Sequence, residues 1–141
     1  MPIPNRPSIY LAAETAAALE SSMVPQDSIS GTINSIVLSY FRVLDDGKKW
    51  LKDHPLSSGE WSAIIDANNG SLIDHHAATL LWANVHDSRG FTEKWGVDVA
   101  ALSDKMRALP LPAQLALADI VRLFWSDPHD DIATRVQVLL S

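Results

Sequence analysis

No cysteine occurs among the 141 residues. Disulfides, thiolate catalysis and zinc sites built on cysteine pairs are thereby excluded. Long hydrophobic runs are missing too: nowhere do about 18 uncharged apolar residues follow one another, roughly the length that a membrane-crossing helix needs. The opening residues Met1-Pro2-Ile3-Pro4-Asn5-Arg6 lack the apolar core and small-residue cleavage site of a signal peptide. The expected location is therefore cytoplasmic. Positive charge is scarce, with 11 basic against 17 acidic residues and a net charge of −6. That balance opposes indiscriminate binding to nucleic acid, but it leaves room for a local basic face. No Gly-x-Ser-x-Gly elbow, phosphate-binding loop or His-Glu-x-x-His pattern is present. The chain is accordingly expected not to be an enzyme, with no catalytic residues and no cofactor.

The histidines and acidic residues do not add up to a metal centre. His75 and His86, eleven positions apart on one helix, would share a face yet stand about 16 Å from each other. That is too far for a common ion. The run Asp127-Pro128-His129-Asp130-Asp131 lacks the glycine and closing glutamate of a calcium loop. It reads instead as a helix start capped by Asp127. No metal site is expected.

What is present suits a folded protein. Apolar residues make up 47% of the chain, which argues against disorder. The length fits one domain, or a small N-terminal module joined to a larger one. Arg6-Pro7-Ser8-Ile9-Tyr10-Leu11 alternates like a short strand, with Pro7, Ile9 and Leu11 on one face and Arg6, Ser8 and Tyr10 on the other. A helix follows over 13–23, with Ala12, Ala16, Leu19 and Met23 as its apolar stripe, and Pro25 ends it. Ser30 is the expected N-cap of a second helix. Its face recurs at Ile33, Ile36, Val37, Tyr40, Phe41 and Leu44. Asp45-Asp46-Gly47 can break or bend that helix, and residues 48–53 can extend it or form a turn of their own. His54-Pro55 closes the region, because the residue before proline leaves the α basin.

Everything beyond reads as helical. Ser58 is expected to cap a short helix carrying Trp61, Ile64 and Ile65, ended by Asn69-Gly70. A further helix runs through Ile73, Ala77, Leu80, Leu81 and Val85. Thr92 caps a turn to Trp95, and Asp98 caps a helix to Leu109. Pro112 stands near the start of the next helix, where its missing N–H is tolerated. That helix, to Trp125, is apolar almost all round and suits an interior or a subunit contact. Asp127-Pro128 opens a last helix to Leu140. Five tryptophans, at 50, 61, 82, 95 and 125, sit beside helical apolar positions and are mostly core candidates.

The N-terminal pieces meet a family. Arg6-Pro7-Ser8-Ile9-Tyr10-Leu11, then Glu14-Thr15-Ala16-Ala17-Ala18-Leu19-Glu20, then Ser28-Ile29-Ser30-Gly31-Thr32-Ile33-Asn34-Ser35-Ile36 resemble the ribbon-helix-helix (Arc/MetJ/CopG-like) superfamily over residues 5–44. The fold that this implies is mostly α: one short strand paired across a dimer, two helices, then an all-helical bundle. The expected division is a ribbon-helix-helix module over 1–54 and a helical domain over 55–141. The resemblance implies a homodimer whose core holds Ile9, Leu11, Ile33, Ile36, Val37 and Tyr40. It also implies double-stranded DNA as partner, with the paired strands in the major groove and Arg6, Ser8 and Tyr10 reading base edges. Ser30, Gly31 and Thr32 would clamp a phosphate on free helix-start amides.

Two functions follow from this. The first is a sequence-specific DNA-binding repressor, or an antitoxin-like autoregulator. Residues 1–44 hold only Arg6 and Arg42 against Glu14, Glu20 and Asp27, so its affinity would lean on the ribbon and the helix starts more than on phosphate neutralisation. The second is an interaction or inhibitor protein that dimerises through the N-terminal module and binds a protein partner through its acidic helical domain. Leu111, Leu115, Phe124 and Trp125 are the candidate partner surface there, and neither function involves a membrane.

Overall fold

In the computed structural model, residues 12–23, 28–69 and 81–141 are described. They form eight α-helices, with no strand or sheet among the described residues. The order is α1 (Ala13–Ser22), α2 (Ile29–Asp53), α3 (Ser58–Ala67), α4 (Leu81–His86), α5 (Phe91–Trp95), α6 (Val99–Arg107), α7 (Leu111–Ser126) and α8 (Ile132–Leu140). This corrects the expected fold class, because the ribbon of a ribbon-helix-helix module is not seen. The expected strand, residues 6–11, itself lies outside the described residues, as do His75, His76 and the first part, residues 73–80, of the helix expected through Val85, whose later part is α4.

The second helix takes the longer of the courses that its sequence allows. It does not stop at Asp45-Asp46-Gly47 but runs on for 25 residues to Asp53. Gly47 is buried, and its missing side chain is the point. A Cβ there would overlap the carbonyl oxygen of Pro112 and stand 2.6 Å from the carbonyl carbon and 2.7 Å from Ala116 Cβ. The glycine thus acts as a close-contact position on a continuous helix, at which α2 meets the first turns of α7. His54-Pro55 does end the helix, as the constraint before proline requires.

Contacts divide the chain into units 1–40 and 41–141, whereas the sequence placed its boundary after residue 54. In the first unit α1 carries a stripe much as its alanine-rich sequence predicts: Leu19 is buried, Ala16 and Met23 are half-buried, and Ala12 is exposed. In the second unit α7 is the central element. Ala113, Ala116, Leu117, Ile120, Val121 and Phe124 are all buried along it, as an almost wholly apolar helix requires. Helices α3 and α8 pack on α7, while α4 lies against α6 and α3.

Polar groups at the helix ends are satisfied locally. Ser57, one residue earlier than expected, caps α3 in a reciprocal box with Glu60: each backbone N–H donates to the other side chain, at 3.1 and 2.9 Å. Asp98 caps α6 as expected, accepting from Ala100 and Ala101. At the other end of α6, Gln114 Nε2 donates to the carbonyls of Arg107 and Leu109. The last helix starts at Ile132, and its cap is Asp131, not Asp127. Thr134 donates to Asp131 from both hydroxyl and backbone, and these bonds hold the carboxyl below its ordinary range.

Gly47→Ala is expected to destabilise the protein. Alanine favours a helix interior over glycine by about 1 kcal/mol, while overpacking a close contact costs about 1–3 kcal/mol. Here the obstacle is backbone, which yields poorly, so the second effect should win. A lower urea midpoint for Gly47→Ala than for the native chain is the expected result. A higher one would remove Gly47 from the helix contact.

Candidate functional site

Most chemistry-bearing side chains of 41–141 are engaged in holding the helices. Asp66 of α3 accepts from Lys94 at 2.6 Å and from Trp95 Nε1 at 3.2 Å, tying α3 to α5. Trp125 Nε1 donates to the Ile65 carbonyl at 3.0 Å, and Ser103 to the Trp82 carbonyl at 2.8 Å. The Arg107 guanidinium lies 5.1 Å from the Trp82 ring centre. The wholly buried Asn68 donates to Ile64 and accepts from Asn84 at 2.6 Å. Every basic residue from Lys94 onward has an acidic partner: Asp66, Glu60, Asp104, Asp119 and Asp127 serve Lys94, Lys105, Arg107, Arg122 and Arg135. Among the described residues no group of three or more potential ligands could hold a metal ion. No described helix is long and apolar enough to cross a membrane.

One polar cleft, of about 310 Å³, lies between the start of α3 and α6 and is lined by Ser57, Glu60, Val97, Asp98 and Lys105 among others. Its charged groups already answer one another. Lys105 Nζ reaches both oxygens of Glu60, at 3.0 and 3.2 Å, and Asp98 is occupied as a cap. Burial pushes the Glu60 carboxyl up. The Ser57 amide, the Lys105 ammonium and the Ser57 hydroxyl together outweigh that and leave it below its ordinary 4.5. The cleft is a helix junction bound by its own ion pair.

The remaining conspicuous surface is on α2. Ile29, Ile36 and Val37 are 52%, 48% and 43% exposed, with Ile33 and Tyr40 half-buried on the same stripe. From Ser28 to Phe41 no residue is charged. An exposed apolar stripe without a single charge is unusual on a helix that belongs to a chain of net charge −6, and such patches mark interaction sites.

The residues singled out from the sequence fall as follows. Arg6, Ser8, Ile9, Tyr10 and Leu11 lie outside the described residues. Of the expected dimer core, Ile33, Ile36, Val37 and Tyr40 do share one face of α2. The phosphate clamp is altered because the helix starts before Ser30, behind Ser28. The Gly31 amide donates to the Ser28 hydroxyl at 3.0 Å, and the Thr32 amide to the Ser28 carbonyl at 2.9 Å. Thr32 is buried, and these two amides have no donor left for a phosphate. Of the partner surface expected on α7, Phe124 is inside the core, Trp125 is half-buried and tied to Ile65, and Leu115 is half-buried. Leu111 alone is exposed, at 58%. The cleft at Glu60 was missed; Ser57 three places before Glu60 was its only sequence signal.

No family model matches the chain, and no curated protein or solved structure is significantly similar to it.

The ion pair in the cleft generates a pH prediction. A carboxyl whose folded value lies below 4.5 lends stability that is present above that pH and is lost as the pH falls through the folded value. Glu60→Gln is expected to be less stable than the native chain at pH 7, by about 1 kcal/mol for the weakened cap and ion pair. The gap should narrow below pH 4.5 in urea midpoints taken across the acid range. A gap that stays constant from neutral to acid pH would mean that the ionised form contributes nothing.

Proposed function

We propose that the chain is a protein-interaction module, with no catalytic role, and that the uncharged apolar side of α2 is its binding face. The observation that carries this reading is the exposure of Ile29, Ile36 and Val37 within a segment free of charge. Burying half-exposed isoleucine and valine against a partner gains about 25 cal/mol for each Å² of apolar surface removed from water. No charged group on the segment has to be desolvated for that contact.

The rest of the molecule supports the same reading. Its basic side chains from Lys94 onward, the indole N–H groups of Trp95 and Trp125 and the amide of Asn68 are all bonded within the helical unit 41–141. A DNA-reading role would need the ribbon and free amides at Gly31 and Thr32, and those two amides are already bonded to Ser28. The exposed apolar face of α2 favours protein association over that role.

The test is the size of the protein in cell extract, followed by immunoblot after gel filtration. The native chain should elute well above the 15.4 kDa of one copy. The double variant Ile36→Glu/Val37→Glu should elute as a monomer and keep its helical circular dichroism, since both sites are half-exposed and glutamate is a good helix former. Elution of the native chain as a monomer, or of the variant together with the native complex, would overturn the reading.

A further inference from the structure

We infer that α5 is a hinged strap on α3. It opens and closes as a unit, pivots at Gly90 and Gly96, and is latched by one oxygen of Asp66, so that ionic strength sets how often it stands open. Three observations carry this.

The first is how little of α5 the core holds. It is five residues long, the shortest helix among the described residues. None of the five is buried: Phe91 and Trp95 are half-buried against the core, and Thr92, Glu93 and Lys94 are exposed. Among the described helices it packs chiefly on α3. A helix this short does not persist in water without support. Segments with few buried contacts and exposed backbone bonds open at less cost than the core does. The contrast is α7, which buries seven of its residues.

The second observation is the pair of residues that bracket α5. Gly90 and Gly96 both adopt left-handed backbone, with φ of 82° and 67°. A Cβ at either would meet nothing within 4 Å. Unlike Gly47, these glycines are therefore needed for backbone freedom and not for space. Hinges are a few such positions at the ends of an element, where large changes of φ and ψ are absorbed. The seat of the strap is Gly59 in the first turn of α3, where a Cβ would stand 2.6 Å from the Trp95 carbonyl oxygen. The end of α5 rests there on bare backbone.

The third is the latch. Asp66 Oδ2 alone accepts from Lys94 Nζ, at 2.6 Å, and from Trp95 Nε1, at 3.2 Å. The same ammonium lies 5.1 Å from the Trp95 ring centre and 5.9 Å from that of Phe91. The side chains that hold α5 thus converge on one atom. Lys94 is 56% exposed and Asp66 24%, so dissolved ions reach the pair and screen it. Salt weakens the latch without touching the apolar core.

The test is hydrogen exchange of the full-length chain, followed by NMR at single amides. Lys94 and Gly96 report on α5, since their N–H groups donate to the carbonyls of Gly90 and Thr92. They should exchange on the order of a hundred-fold faster than the buried amides of α7, yet more slowly than an unstructured chain. Salt at about 1 M should speed them about two- to five-fold, the worth of a partly exposed ion pair. Asp66→Ala should speed them on the order of ten- to a hundred-fold and abolish that salt response. Gly90→Ala, strained in the closed backbone, should speed them about ten-fold and keep the salt response. Ile120→Val, in the core, should speed the α7 amides about two- to ten-fold and leave Lys94 and Gly96 unchanged. Acceleration of both sets by Ile120→Val would make α5 part of the core and overturn the strap. Exchange of Lys94 and Gly96 in the native chain at the rate of an unstructured chain would mean that it never closes. No effect of Asp66→Ala would remove the latch, and a salt response that survives Asp66→Ala would remove the control by ionic strength.

Discussion

The close approach of α2 to α7 at Gly47 is the constraint on which the helical unit depends. Two helix backbones come together there because one residue has no side chain, and the carbonyl of Pro112, in the first turn of the other helix, fills the space. With the helices that close, Leu44 and Leu51 can be buried on either side of the contact. Ala116 on the facing turn of α7 is small for the same reason. The rest follows from α7 being enclosed. Once its apolar surface is covered, α3 and α8 supply Ile64, Ile65, Val136 and Leu140 to the core, and α5 is fastened to α3 by the Asp66 bonds to Lys94 and Trp95.

Much of this was legible in the sequence, and the failures have physical causes. Asp98, His54-Pro55 and the apolar run of α7 act through local stereochemistry or through simple amphipathicity, and each marks its element well. Asp45-Asp46-Gly47 left a break and an extension to residue 53 both open, because glycine has two uses that look alike in sequence: it frees a turn, or it admits a neighbour. Only the position of α7 decides between them. The starts of α2, α3 and α8 shifted by one to four residues wherever several cap-competent side chains lay close together. Ser28 stands near Ser30, Ser57 beside Ser58, and Asp131 near Asp127. Any of these can cap, and tertiary packing selects one.

The candidate site shows the same split. Periodicity alone placed Ile33, Ile36, Val37 and Tyr40 on one face, and that assignment needed no fold. What the face does could not be read from periodicity, since a buried stripe and a docking stripe have the same spacing. Exposure separates them: the same stripe passes from buried at Leu44 and Leu51 to half-exposed at Ile36 and Val37. At Gly31 and Thr32 the expected phosphate clamp meets a more local obstacle. Its logic needed a helix that begins at Ser30, and a start two residues earlier converts free amides into bonded ones.

The five tryptophans all lie within 41–141, and none lies within 1–40. Trp61 is buried, and the indoles of Trp95 and Trp125 are hydrogen-bonded to Asp66 and to the Ile65 carbonyl. Tryptophan emission from this chain is therefore an optical signal of the helical unit alone. Far-ultraviolet ellipticity counts α1 and the first half of α2 as well. Plotted against denaturant, the two spectroscopies sample different parts of one polypeptide, so the chain has a built-in means of separating the melting of its N-terminal helices from that of its core.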